Sequence, residues 1–279
     1  MKRFFNQLTK RKTALIGFIF LIFVFLIASL TPFLAPMDPF VQNIERRLLP
    51  PMTMNADGFT HWLGTDQLGR DVLSRLIYGS RISIMIAAGA VFIGGAIGLI
   101  VGLVSGYSGG WIDSVFMRLI DMQLAFPFLL LALTMVSILG SSIMNVVLVL
   151  SLTSWISYAK VVRSSVLSIK YLEFIEATRA AGTSKLAILF RHILPHVLSP
   201  FIVVASFQVA TLIIAESSLS FLGLGVPSSE PTWGAMLADG REYMTDAWWI
   251  AIYPGLMLML VAMSANLFGD GLRDVLDPQ

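Results

Sequence analysis

Residues 122–159 read MQLAFPFLLLALTMVSILGSSIMNVVLVLSLTSWISYA, 38 residues without an Asp, Glu, Lys or Arg. A helix crosses the hydrocarbon core of a bilayer with about 20 apolar residues. The stretch is too long for one crossing and the right length for two. Leu139-Gly140-Ser141-Ser142 supplies a turn near its middle. Working outward, four more charge-free stretches stand at 14–34, 82–107, 193–215 and 247–269. Lipid offers the backbone no hydrogen-bond partners, so segments that cross it are helices. The expected fold class is therefore all-α, a polytopic membrane protein with about six transmembrane helices, two of them a tight hairpin.

Composition agrees. Of 279 residues, 56% are hydrophobic and 13% charged, where a soluble domain carries roughly 25% charged residues. The mean hydropathy is +0.80. A net charge of +2 does not suggest a nucleic-acid binder. The absence of Cys excludes a disulfide framework, a Cys-ligated zinc site and an iron–sulfur site. His61, His192 and His196 are too few and too scattered for a metal centre. No GxxxxGK[ST] phosphate loop is present, and no Ser, His and acid set stands in a catalytic context.

Orientation follows from the placement of Lys and Arg. Lys2, Arg3, Lys10, Arg11 and Lys12 precede the first span. They resemble the positive end of a signal peptide, but the apolar stretch is too long and no small-x-small site follows, so it is read as an uncleaved helix. With an even number of spans, residues 1–13, the loop near 108–118, the loop 160–192 and the C-terminal tail share one side. They hold 13 basic residues against 6 in the opposite loops, 35–81 and 216–246. Both termini are expected in the cytoplasm. The chain then divides into an N-terminal region, 1–81, with one helix and a long external loop, and a core, 82–279. No solenoid repeat or inverted repeat is visible. Gly94, Gly98, Gly102 and Gly106 recur at a spacing of four in the second span, where missing side chains let another backbone approach. That neighbour is either within the bundle or in another subunit.

The cytoplasmic loop is the most specific part. Residues 171–182 read YLEFIEATRAAG, and TSKLAILFRHILP comes next. Gly182 can take the left-handed backbone that ends a helix. Thr183 or Ser184 can cap the next, whose apolar residues are Leu186, Ile188, Leu189 and Phe190. Two short helices with a bend at Gly182 are expected, with small residues that let the loop seat in a groove of another protein. The alternative is a solvated basic loop that merely satisfies the orientation rule.

Glu176-Ala177-Thr178, Gly182 and Leu194-Pro195 resemble the EAA loop of ABC importer permeases, which reads Glu-Ala-Ala, three residues, Gly, nine residues, Ile, one residue, Leu-Pro. Thr178 replaces the second Ala, and His192 stands in place of the Ile. Further pieces are similar to the dipeptide, oligopeptide and nickel permeases of the C type. They are Ala14-Leu15-Ile16-Gly17, Phe33-Leu34-Ala35-Pro36, Asp38-Pro39, and residues 61–75 from His61-Trp62-Leu63-Gly64-Thr65-Asp66 to Ser74-Arg75. Residues 215–225, Trp233-Gly234-Ala235-Met236 and residues 266–274 complete the set. The resemblance implies a type I importer permease whose loop, at about 164–195, couples to an ATPase through Glu173, Glu176, Ala177, Thr178, Arg179, Ala181, Gly182 and Leu186. It implies a second, homologous permease, two cytoplasmic ATPase subunits that bind ATP and Mg, an external substrate-binding protein and the bacterial inner membrane. No cofactor, metal or nucleic acid is expected on this chain. Short peptides are the expected cargo, with nickel or a metal chelate the alternative. An ATP-independent secondary transporter or channel is the reading from another class.

For the pathway itself the candidates are Glu216, Asp121 and Pro127. Glu216 ends an uncharged span, and an ionisable group at membrane depth is a functional candidate by default. The plainer reading puts it at the external interface, bound to water or a neighbouring subunit. Asp121 lies three residues after Arg118, a spacing that suits pairing on one face. Pro127 and Pro254 are expected to kink their helices. Trp233, Trp248 and Trp249 suit an interfacial belt.

Overall fold

The structure, a computed structural model, describes residues 11–55, 58–227 and 229–276; Lys2, Arg3 and Lys10 lie outside them. Apart from single turns at Thr31–Leu34, Ile44–Arg46 and Arg241–Tyr243, the helices are α1 (Lys12–Ser29), α2 (Val72–Ser108), α3 (Gly110–Leu124), α4 (Phe128–Leu139), α5 (Ile143–Ile169), α6 (Glu173–Ala180), α7 (Lys185–Ile188), α8 (Leu194–Phe221), α9 (Trp233–Gly240) and α10 (Trp249–Leu276). By length and composition α1, α2, α5, α10 and the continuous run Lys185–Phe221 are five candidate crossings. α3 and α4 together make a sixth, bent by 89°.

The hairpin expected in residues 122–159 is present. Gly140 turns at φ +85°, and Ser142 caps α5 by accepting from the Asn145 amide. Asn145 in turn donates to the carbonyls of Leu139 and Gly140, at 2.7 and 3.0 Å. The third span is not the single helix 122–139 that its apolar run suggests. Pro127 has no N–H, and its ring disfavours helical backbone at Phe126, so the chain breaks there and restarts at Phe128. Instead of a kink, Pro127 marks a break between two helices. α10 continues through Pro254.

Other helix ends also move. α2 starts at Val72, not near 82, because Asp71 caps it by accepting from the Ser74 amide at 2.8 Å. Arg75 and Arg81 therefore lie inside the helix. α3 begins at Gly110, which reduces the expected loop 108–118 to a turn at Gly109. A charge-free stretch marks hydrocarbon length; a helix runs on into surroundings that tolerate charge.

α2 and α5 run parallel and in close contact. A Cβ added at Gly98 would sit 2.5 Å from the Trp155 carbonyl and the Tyr158 Cβ. At Gly102 it would meet Val162 at 2.6 Å, and at Gly106 Val166 at 2.8 Å; at Gly94 it would overlap Ser154. The glycine stripe is thus a seam within the chain. Lipid is as apolar as Leu, so burial of apolar area does not drive helices together there; close packing does. α10 runs antiparallel to α1, with Gly17 against the Ser264 carbonyl, and antiparallel to α8, with Gly269 against Ser206 and Phe207. A core of Ile86, Ala90, Val146, Leu150, Leu212 and Leu219 lies between α2, α5 and α8.

The two long loops share one end of the bundle and are tied together there. A short hairpin, β1 (Thr53–Met54) with β2 (Thr60–His61), pairs Thr53 with His61. Asp66 accepts from Arg70 Nε at 2.6 Å and lies 3.5 Å from Arg75 Nε. Asp239, in α9, reaches Arg70 at 3.3 Å and Arg75 at 3.7 Å. His61 Nδ1 meets Asp71 at 2.9 Å. Gly64 turns at φ +80°, where a Cβ would meet the Leu49 carbonyl at 2.5 Å. Removing one partner of such a buried set leaves an uncompensated charge, at a cost of about 3–5 kcal/mol. Two of the three tryptophans expected in an interfacial belt are enclosed instead. Trp233 donates to the Leu76 carbonyl and Trp249 to the Thr65 carbonyl, both at 3.1 Å, while Trp248 keeps an exposed ring.

The seam predicts a contrast between two Gly→Ala substitutions. Gly98→Ala forces a methyl against backbone and should lower stability by about 1–3 kcal/mol. Gly255→Ala meets only the Leu237 Cδ1 at 3.6 Å and should be neutral within about 0.5 kcal/mol. Thermal denaturation of the purified protein in one detergent checks both.

Candidate functional site

The end opposite the long loops gathers the chain's N-terminal side, the turn at Gly109, residues 163–196 and the end of α10. Arg11 pairs with Asp274 across α1 and α10. Arg163 holds Asp113 with two hydrogen bonds, 2.5 and 2.6 Å, which ties the foot of α5 to the start of α3. Lys170 Nζ donates to the Gly106 carbonyl at 2.9 Å, so a buried cation caps the C-terminal end of α2. These contacts fix the point from which α6 leaves the bundle.

α6 carries Glu173 and Glu176 in its first turn and Arg179 in its last, an arrangement that suits the helix dipole. Its end is the Schellman arrangement: the Thr183 amide donates to the Thr178 carbonyl and the Gly182 amide to that of Arg179. Gly182 has φ +79°, as the bend requires. Ser184, not Thr183, caps α7, accepting from the Ala187 amide at 3.3 Å. This second short helix does not stand alone. α7 passes through a π turn, Leu189–Ile193, directly into α8. Pro195 lacks the N–H of a regular turn, and the wider turn before it absorbs the mismatch.

Few side chains anchor the loop. Ile175, Ile188, Leu189 and Ile193 are buried against Leu103, Val162, Val166 and Val197, at the foot of the α2–α5 seam. Most of the rest faces outward. Glu173, Glu176, Ala177, Arg179, Ala181, Gly182 and Leu186 are exposed on one continuous stretch; Thr178 is half-buried, its hydroxyl donating to the Phe174 carbonyl. Leu186 is 69% exposed and Phe190 59%. Apolar and charged side chains are thus exposed side by side along this segment. Sequence reasoning missed Phe174, whose ring lies 5.9 Å from that of His196 at the start of α8. The i, i+22 separation of the two gives no local signal.

The three pathway candidates are not brought together. Glu216 is fully buried at the loop-bearing end of α8. Ser220 Oγ donates to it at 2.8 Å, Ser217 lies at 3.5 Å, and the Thr232 hydroxyl completes the set. Its partners are hydroxyls of this chain. The run Glu216-Ser217-Ser218-Leu219-Ser220 places two of them within one turn, a signal readable in the sequence. Thr232 also caps α9, and a Cβ on Gly234 would meet the Ser217 Cα at 2.5 Å, so α9 sits directly on α8. Asp121 and Arg118 are both exposed and form no ion pair with each other; the partner that α3 does supply is Asp113. Pro127 stands at the break between α3 and α4.

Residues 94–279 match the family described as "Binding-protein-dependent transport system inner membrane component". Residues 1–51 match the "N-terminal TM domain of oligopeptide transport permease C". The chain is 39% identical to the di/tripeptide transport system permease protein DppC of Pseudomonas aeruginosa over all 279 residues, covering 92% of that protein. It is 38% identical to the dipeptide transport system permease protein DppC of Bacillus subtilis, over 98% of this chain and 84% of that one. The glutathione transport system permease protein GsiD of Pectobacterium atrosepticum is 39% identical over the full chain, 91% of its own length. Among solved structures, an inward-facing MetNI methionine ABC transporter superposes with a TM-score of 0.60 at 20% identity, over 72% of this chain and 96% of that one, which establishes the shared fold. The chain belongs to the binding-protein-dependent ABC importer permeases, in the class of the peptide permeases.

Proposed function

We propose that this chain forms one half of the membrane pathway of an importer for short peptides, driven by ATPase subunits that seat on α6 and the residues after it. The observation that carries the reading is the exposed helix bearing Glu176 and closed by Gly182 at φ +79°, anchored at the foot of α2 and α5. A surface held this firmly passes a push from a partner into the two helices it stands on. Dipeptide relatives that align along essentially the whole chain support peptides over nickel as cargo.

The assembly in this reading is a heterodimer with a second permease, two ATPases and an external binding protein. The 13-to-6 division of basic residues supports a cytoplasmic α6 and cytoplasmic termini. ATP drives transport only if it binds one conformation of the complex better than the other. Closure of the ATPase pair moves the two coupling loops together, the membrane halves open outward to take cargo from the binding protein, and hydrolysis resets them. Nucleotide chemistry belongs to the partners, since this sequence has no phosphate loop whose amides and Lys would hold ATP.

Two outcomes are expected. A Cβ at Gly182 would meet nothing within 4 Å, so Gly182→Val acts on the backbone alone, straining it by about 1–2 kcal/mol. Gly182→Val and Glu176→Lys should leave the subunit in the membrane while weakening ATPase pull-down and peptide uptake together. Normal docking and uptake in both, at equal membrane levels, would remove the coupling role. In proteoliposomes of the full complex, uptake of a labelled dipeptide should require ATP and the binding protein and be unaffected by excess nickel. Uptake without ATP would favour the secondary-transporter reading, and competition by nickel would reassign the cargo.

A further inference from the structure

A cavity of about 700 Å³ opens between α5, α8 and α10 at the end that carries α6. Its polar residues all lie at one end, beside Pro195, Pro200 and Leu276. His196, Ser199 and Arg273 stand toward the helix ends, and Val203, Val204 and Phe207 line it further along α8. From His196 to Phe207 the helix rises about 16 Å, close to the ~15 Å depth of one leaflet's hydrocarbon. Among the described residues Arg273 forms no ion pair, and neighbouring Asp274 is already held by Arg11. An arginine and an imidazole at the mouth of an apolar slot one leaflet deep suit an anionic amphiphile.

We infer that this groove binds an anionic phospholipid of the cytoplasmic leaflet, its phosphate at Arg273 and His196 and an acyl chain along Val203, Val204 and Phe207. Basic pockets between transmembrane helices on the cytoplasmic side take such headgroups. The inference rests on the cytoplasmic orientation proposed above. It also has a consequence for coupling. His196, at the headgroup, packs against Phe174 of α6, so a bound lipid braces the loop on which the ATPase seats.

Native mass spectrometry of the detergent-purified complex, delipidated and titrated with phosphatidylglycerol or phosphatidylcholine, tests it without cargo or ATP, and so independently of the transport reading. Phosphatidylglycerol should be retained in preference to phosphatidylcholine. Arg273→Gln should weaken its retention by about fivefold, the effect of one basic side chain at an anionic surface, and Arg273→Lys should restore it. Val204→Trp, which fills the slot, should exclude the lipid while the complex still assembles. Equal retention of the two lipids, or unchanged retention in both Arg273→Gln and Val204→Trp, would overturn the inference. So would displacement by free dipeptide, which would give the groove to cargo.

Discussion

The close approach of α2 and α5 is the constraint on which the rest of the molecule depends. In lipid two helices gain from meeting only what packing gives, and packing at backbone distance requires the missing side chains of Gly94, Gly98, Gly102 and Gly106. The seam sets where α5 ends relative to α2. Lys170 then reaches the Gly106 carbonyl, Arg163 reaches Asp113, and Ile175 and Ile188 find their slots beside Leu103, Val162 and Val166. α6 is therefore an extension of the paired helices, not a loop hung between two spans.

The opposite end is built by other means. There the chain has two long segments with little regular structure, and charge does the joining. Asp66 faces Arg70 and Arg75 from just before them in the chain, and Asp239 reaches the same two cations, Arg70 across 169 residues of sequence. Glu216 reaches Ser220 within its own helix and Thr232 at the start of α9. Polar links tie the α6 end as well, where Arg163 holds Asp113 and Arg11 pairs with Asp274, so the helices are cross-linked at both ends.

Much of this was legible in the sequence because lipid is a demanding solvent. Uncharged runs located five of the spans, the Gly140 turn and the grouping of loops at two ends, but in the run 122–139 they did not show the bent pair α3 and α4. The bend at Gly182 was legible because φ > 0 leaves few residues to choose from. Three things were not legible. The glycine stripe has the same spacing whether its neighbour lies in this chain or another, and only the positions of Trp155 and Val162 decide. Helix ends at Val72 and Gly110 depend on local caps and turns, which a count of charges does not see. Arg163 with Asp113, and Asp239 with Arg70, join residues far apart in sequence, and nothing in either neighbourhood names the partner. Asp121 beside Arg118 shows the converse: suitable spacing did not produce a pair.

In the proposed assembly the ATPase seats on residues 173–190. The chain has no Cys, so a single introduced thiol reports from one place. Ala177→Cys and Leu186→Cys, both at exposed positions, can be joined by a short bifunctional thiol reagent to a cysteine introduced on the ATPase face turned toward the membrane. The account predicts a covalent permease–ATPase adduct from both positions, with a yield that changes between the nucleotide-free and ATP-bound complex. A complex that still transports but gives no adduct from either position, with or without ATP, would contradict it.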